Sequence, residues 1–143
     1  FPETDVRAMG RTAAGVRGIA LNTNDEVVGM DVLEYNSSIL TVTEKGYGKR
    51  SPLDEYRVQT RGGRGIITVK TTDRNGPVAG VKQVTDMDDI MLITDAGKII
   101  RSSVKGIPII GRNTQGVRLI SLEKGERVVS LASFVEEDEN DKE

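Results

Sequence analysis

A repeat of about 50 residues runs through this chain and limits its folds more than any other feature. Ile39-Leu40-Thr41-Val42-Thr43-Glu44-Lys45-Gly46 returns 51 residues later as Ile90-Met91-Leu92-Ile93-Thr94-Asp95-Ala96-Gly97. Gly15-Val16-Arg17 returns 101 residues later, two periods on, as Gly116-Val117-Arg118. Between them lies Gln59-Thr60-Arg61-Gly62-Gly63-Arg64-Gly65. Aligned on Gly15, Gly65 and Gly116, the copies place Arg11, Arg61 and Arg112 each four residues before the glycine. A unit of this size cannot bury its own apolar face, so successive units must stack on one another.

The repeat has strand content. After each aligned glycine comes an apolar stretch: Val16 to Leu21, Ile66 to Val69, Val117 to Leu122. A second follows at Val27 to Met30, Val78 to Val81 and Val128 to Leu131, and a third at Ile39 to Thr43 and Ile90 to Thr94. These runs are short, β-branched and bounded by Gly, Asn, Asp or Pro, the pattern of strands. Alternation puts Leu40 and Val42, with their repeat partners Met91 and Ile93, on one face, the expected core side. Thr-Glu-Lys-Gly and Thr-Asp-Ala-Gly supply hairpin turns. A fourth strand leads into the next loop, so each period carries about four. Four strands per repeat make a propeller blade. Val6-Arg7-Ala8-Met9 matches Ile107-Pro108-Ile109-Ile110 and is expected to complete a preceding blade. The fold expected is all-β: a partial ring of about three four-stranded blades over residues 1–135, followed by an acidic disordered tail over 136–143. The chain begins at Phe1 in mid-repeat, so it reads as part of something longer, and its open strand edges invite self-association.

Composition removes several functions. The chain has no cysteine, which excludes disulfides and thiolate metal sites, and no histidine, which excludes histidine bases, Ser-His-Asp triads and the usual zinc sites. No run approaches a membrane span, and no signal-peptide pattern opens the chain, so a cytoplasmic protein is expected. The net charge of −2 hides an asymmetry. The last eight residues hold six acids and one lysine; residues 1–135 carry 19 basic and 16 acidic residues, a net +3. Two readings of the tail stay open: a solubilising end, or a phosphate mimic that competes for the basic body.

The site candidate is the loop Gln59, Arg61, Gly62, Gly63, Arg64, Gly65. Glycines let a backbone come close and present N–H groups to an anion. Arginines add charge and bidentate phosphate donors. Arg11, Arg17, Lys49, Arg50, Arg101, Lys105, Arg112 and Arg118 fall in the same loops or one period apart, which suggests a continuous basic stripe on an outer rim. A plain turn needs its glycine but does not need arginine each time. Thr85-Asp86-Met87-Asp88-Asp89 reads as a structural turn, since no Ca²⁺-loop spacing is present. Tyr35, Tyr47 and Tyr56 have no partner base and read as packing or surface residues. Walker A, G-x-S-x-G and H-E-x-x-H sequences are absent, so nothing argues for catalysis by this segment.

Met9-Gly10-Arg11-Thr12-Ala13-Ala14-Gly15-Val16-Arg17-Gly18-Ile19, Glu55-Tyr56-Arg57-Val58-Gln59-Thr60-Arg61-Gly62-Gly63-Arg64-Gly65 and the acidic tail together resemble the last part of the C-terminal domain of bacterial DNA gyrase A subunits. The family's box reads Q-R-R-G-G-K/R-G; Gln59, Arg61, Gly62, Gly63, Arg64 and Gly65 match, and Thr60 replaces the first arginine, as in a later, degenerate copy. The resemblance implies a six-bladed β-pinwheel, of which roughly half would be here. It implies non-sequence-specific binding and wrapping of double-stranded DNA, in support of ATP-dependent negative supercoiling by a bacterial, chromosome-associated type IIA topoisomerase. The gyrase B subunit would be a partner, together with the rest of the A subunit. The family's catalytic tyrosine and its ATP and Mg²⁺ sites lie elsewhere, so no cofactor is expected in this segment. Two alternatives remain: the related domain of topoisomerase IV, and a propeller scaffold for protein partners.

Overall fold

The structure, a computed structural model, describes residues 1–135. Among them are seven strands: β1 (Ser38–Thr43), β2 (Tyr47–Pro52), β3 (Val78–Val84), β4 (Asp88–Thr94), β5 (Ile99–Ser103), β6 (Val117–Arg118) and β7 (Val128–Val135). The helical content is three 3₁₀ turns at Glu3–Asp5, Leu53–Glu55 and Val104–Gly106, one per repeat. Each follows an extended residue, Pro2, Pro52 or Ser103. None of these is long and apolar enough to cross a membrane.

The repeated Ile-to-Gly segment folds as a hairpin in both copies. β1 pairs antiparallel with β2, and β4 with β5. Gly46 and Gly97 close the two turns at φ +80°, where a side chain would be strained. Each hairpin then receives a strand from the next repeat. β3 pairs with β1 and β7 with β4, and the ladder shifts at equivalent points, Val42/Thr43 and Ile93/Thr94. β6, from the third repeat, adds to β2. The resulting sheets run β3-β1-β2-β6 and β5-β4-β7. This is the all-β, strand-exchanging architecture of a propeller-like pinwheel: the first blade has the expected four strands, drawn from three repeats, and the second has three among the described residues.

Several expected strands are not in ladders. Residues 1–37 contain no strand, and neither does Ile66–Val69. Val27 and Met30 are exposed, at 63% and 89%. Asp31 tethers this segment sideways to β3: its carboxylate accepts the Gln83 N–H at 3.0 Å and pairs with Lys82 at 3.3 Å.

The core forms between the sheets. Leu40, Val42, Val84, Ile90, Leu92, Val104, Ile107, Ile120 and Val128 make one buried cluster. Here the sequence expectation needs correcting. Leu40 and Val42 are fully buried, but in β4 the buried residues are Ile90, Leu92 and Thr94, while Met91 and Ile93 are half-exposed. Stacked blades meet opposite faces: one sheet contributes its Leu40/Val42 face and the other its reverse face. β1 is buried on both sides, since Thr41 meets Thr68 across its second face at 3.4 Å.

Two local devices hold the repeats in place. The aligned glycines Gly15, Gly65 and Gly116 take φ +82°, +75° and +77°. A Cβ on Gly116 would lie 2.6 Å from the Gly48 carbonyl oxygen, at the β2–β6 junction, whereas one on Gly15 would meet nothing within 4 Å. G15A therefore carries only the left-handed backbone penalty of about 1–2 kcal/mol, and G116A should destabilise more than G15A; chemical denaturation of both variants checks the ranking.

The second device is a turn acceptor in every repeat. Asp25, Asn75 and Glu126 accept the backbone N–H of Asn22, Thr72 and Glu123 at 3.2, 2.7 and 2.8 Å. Glu126 is the most loaded. It also accepts from Thr94 Oγ1 at 2.6 Å and Lys98 Nζ at 3.0 Å. The Thr94 hydroxyl, then the Glu123 N–H and Lys98, hold its carboxyl down to about 2, from an ordinary value of 4.5. A carboxyl whose folded value is lowered contributes stability that is present above the unfolded value and lost as pH falls through the folded one. The chain should thus lose stability between about pH 4.5 and 2. E126Q should melt lower at pH 7 and show a shallower acid loss, measured by thermal denaturation across that range.

Candidate nucleic-acid interface

The Arg-Gly loop is first of all a joint between repeats. The Gly62 N–H donates to Gly18 O, and the Ala20 N–H to Gly63 O, both at 2.8 Å. Arg61 reaches back across this seam: Nη1 donates to Arg17 O at 2.8 Å and Nε to Asp5 O at 3.0 Å. The next joint repeats the plan. The Lys70 N–H donates to Thr114 O at 2.9 Å, and Arg112 Nη1 to Ile67 O at 2.6 Å. Arg17 and Ile67 are equivalent, each two residues past an aligned glycine. Arg112 also stacks over the Tyr56 ring at 5.7 Å, while Glu55 accepts its backbone N–H at 2.9 Å. Turn geometry does not require arginine, but the first seam makes use of one: the Arg61 fork bonds two backbone carbonyls at once, whereas Arg112 gives one such bond and its buried Nε has no hydrogen-bond partner among the described residues. This use was invisible in the sequence, where the recurrence suggested only a ligand.

Apart from Arg118, the expected basic residues divide into three groups. Lys49 and Arg50 are buried, at 0% and 5% exposure, and so do not stand on a rim. Their strand, β2, lies inside the sheet and against residues 107–112. Lys49 Nζ donates to Gly111 O at 2.5 Å and to Arg112 O; burial lowers its pKa to about 8. Arg50 Nε donates to Ile107 O at 2.8 Å, and its Nη1 pairs with Asp86 at 2.5 Å. A second group is engaged but accessible. Arg61 and Arg112 hold the seams, and Arg101 pairs with Asp89 at 2.6 Å and stacks on Phe134. The third group is exposed. Arg11, Arg17, Arg64 and Lys105 face solvent, with no side-chain hydrogen bond or ion pair to the described residues. Gln59 is half-buried, its Nε2 donating to Arg57 O at 3.1 Å. Gly62 and Gly65 take φ +78° and +75°, and Gly63 lies between them in the seam.

Arg118 joins a cluster that sequence reading missed. Its Nη2 donates to Tyr47 Oη at 3.0 Å, and Arg74 Nε to the same oxygen at 3.3 Å. The Arg118 bond, and then the Arg74 bond, lower the phenol pKa. Arg74 had no repeat signal to mark it: its equivalents are Asn24 and Gly125. The segment Thr85–Asp89 is a turn, with Thr85 N–H donating to Asp88 Oδ2 at 2.7 Å, and Asp86 and Asp89 each paired with an arginine. The described residues contain no cluster of three or more acidic groups that could hold a metal ion.

The fold and the seam define a known class of domain. The model of the DNA gyrase C-terminal domain, a β-propeller, matches residues 1–34, 37–85 and 88–134. The chain belongs to that family. It is 52% identical over 136 residues to the DNA gyrase A subunit of Salmonella typhimurium, covering 95% of this chain and 16% of that protein. It is 50% identical over 143 residues to the Staphylococcus aureus counterpart, covering 99% of this chain and again 16% of the relative. Among solved structures, a DNA gyrase A C-terminal domain aligns with a TM-score of 0.85 and 28% identity, over 92% of this chain and 45% of that one. The C-terminal domain of a DNA topoisomerase IV aligns with a TM-score of 0.86, also at 28% identity, over 93% and 42%. The share of the solved domains covered agrees with roughly half a ring. The acidic run 136–143 lies outside the described residues.

The division of the arginines is testable without a ligand. R112A removes a charged donor from a seam and should cost about 1.5–3 kcal/mol, whereas R64A should leave the denaturation midpoint unchanged. Equal effects in the two variants would remove the distinction.

Proposed function

We propose that this segment binds duplex DNA without sequence preference and bends it along a basic rim, as part of a DNA gyrase A subunit. The observation that carries this reading is the set Arg11, Arg17, Arg64 and Lys105: exposed cations with no side-chain partner among the described residues, in a chain of the gyrase C-terminal family. Arg17 and Arg64 flank the seam that joins the first two repeats, so the scaffold fixes their spacing. Arg101, Arg112 and Arg118 extend the candidate surface where their outer N–H groups remain accessible. Lys49 and Arg50 are left out because they are buried.

Guanidinium groups on a rigid rim meet phosphates as charge and as bidentate donors. Bending 20–30 base pairs through 40–90° costs on the order of 1–6 kcal/mol. Phosphate contacts and the release of condensed counterions must supply that energy. No base-reading group is required. In the whole enzyme the bent duplex would be presented to the cleaved segment with fixed handedness, supporting ATP-dependent negative supercoiling. This segment would make and break no bonds itself and hold no cofactor; ATP and Mg²⁺ would act in other parts of the enzyme. Its partners would be the bacterial chromosome in the cytoplasm, the rest of the A subunit, and the B subunit. Its open strand edges would be closed by further blades or by self-association.

The topoisomerase IV reading draws on a fold likeness equal to that with gyrase. The near-complete Gln59–Gly65 box and the curated relatives favour gyrase. Supercoiling by the parent enzyme, as against relaxation and decatenation alone, separates the two.

The direct test is fluorescence anisotropy with a mixed-sequence duplex of about 40 base pairs over a salt series. Each lost phosphate contact should reduce the log–log salt slope by about 0.9, so R11A/R17A/R64A should flatten it by up to about 3. Unchanged affinity and slope would remove the assigned rim. Absence of binding by the whole domain would return the protein-scaffold reading.

A further inference from the structure

Three repeats converge at one open cleft. Tyr47 opens β2, Arg74 precedes β3, and Arg118 closes β6; all three line the cleft, with Lys45 and Arg127 beside them. Tyr47 is 5% exposed and therefore fixed. The two guanidinium carbons lie 5.1 Å (Arg74) and 5.6 Å (Arg118) from its ring centroid. Both groups also donate to its single hydroxyl oxygen. A phenol oxygen takes one donor from each five-donor guanidinium and neutralises neither. No carboxylate among the described residues pairs with Arg74 or Arg118. The nearby acids are otherwise committed or set apart: Glu44 lies 3.9 Å from Arg127, Glu126 is saturated by Thr94, Lys98 and the Glu123 N–H, and the Glu123 side chain is exposed.

The repeat provides the control for this arrangement. Lys98 stands one period after Tyr47, and Gly125 one period after Arg74. At the second hairpin, Lys98 pairs with buried Glu126 at 3.0 Å, a closed arrangement. At these two positions, therefore, blade geometry does not demand a tyrosine with an arginine beside it. Two cations held against one ring, with outward donors unspent, are an arrangement for an oxyanion that accepts from both.

We propose that Arg74 and Arg118, oriented by Tyr47, form a clamp for one phosphate group, separate from the Arg-Gly loop. The phosphate is a backbone phosphodiester or that of a free phosphate ligand; only the first source rests on the DNA reading.

The test observes the arginine Nε–H signals of the isotopically labelled 143-residue chain by NMR. Inorganic phosphate is titrated in one arm and the duplex in the other, with the signals assigned by through-bond correlation to the backbone and checked with R74Q and R118Q. The expected result is a saturating shift of the Arg74 and Arg118 signals, with Arg64 unmoved by inorganic phosphate. Movement with duplex assigns the backbone source; movement with inorganic phosphate alone assigns a free ligand. R74Q/R118Q should also lower the duplex salt slope by about 0.9, the value of one phosphate contact, and Y47F, which keeps both cations, should weaken the shifts without abolishing them. If neither signal moves while the duplex still binds, or if every arginine shifts alike with phosphate, the clamp is overturned and the DNA reading stands. If the duplex does not bind but phosphate moves both signals, the DNA reading fails and the clamp stands. The titrations use the unaltered chain, so a variant that fails to fold does not remove the test.

Discussion

Backbone hydrogen bonding between repeats is what the rest of this structure depends on. A two-stranded hairpin is marginal alone, and its outer edges carry unpaired N–H and C=O groups. Here β1 is completed by β3 and β4 by β7, in each case a strand from the following repeat. The donated strand brings its own repeat with it, so pairing and packing cannot be separated. The core cluster follows: Val84 and Val128 enter it on donated strands and meet Leu40, Ile90 and Leu92 there. The seam arginines follow as well, since the loop that precedes each donated strand must be fastened to the repeat before it.

Much of this was legible in the sequence, for a physical reason. Hairpins are local, and Ile39 to Gly46 and Ile90 to Gly97 carry alternation and a turn glycine within a few residues. Both became strand and turn where expected. The positive φ of all three aligned glycines explains why that residue recurs. Which face is buried was not legible. Alternation distinguishes two faces but cannot rank them when blades stack on both sides, and β4 buried the one opposite to that expected. The first repeat shows a related limit. Val27–Met30 has strand chemistry but joins no ladder among the described residues.

Burial of Lys49 and Arg50 was also hidden. A basic pair reads as surface in the absence of tertiary information. The pair follows Tyr47 and Gly48 on a strand enclosed by β1, β6 and residues 107–112. Lys49 satisfies its ammonium on two carbonyls and gives up part of its basicity to desolvation, while Arg50 finds a carbonyl and Asp86. The charge is used inside, as glue for the third loop, and its presence in the sequence overstates the charge at the rim.

Periodicity therefore has two meanings in a protein of this kind, and they pull apart at the arginines. Arg61 and Arg112 recur at two seams, where each donates a guanidinium N–H to the equivalent carbonyl, that of Arg17 or Ile67. A ligand imposes no such recurrence, because it touches the ring along one path. The residues left over after the seams are built are those whose charge the fold does not consume. Arg64, three residues past Arg61 in the same loop, is one, and Arg74 with Arg118 on a shared tyrosine is another. In the Arg-Gly loop the glycines show the same division. The Gly62 N–H donates to Gly18 O at 2.8 Å, so that glycine's contact belongs to the neighbouring repeat. Arg64 stands exposed two residues past that joint, so the joint sets the stretch of backbone from which this charge is presented.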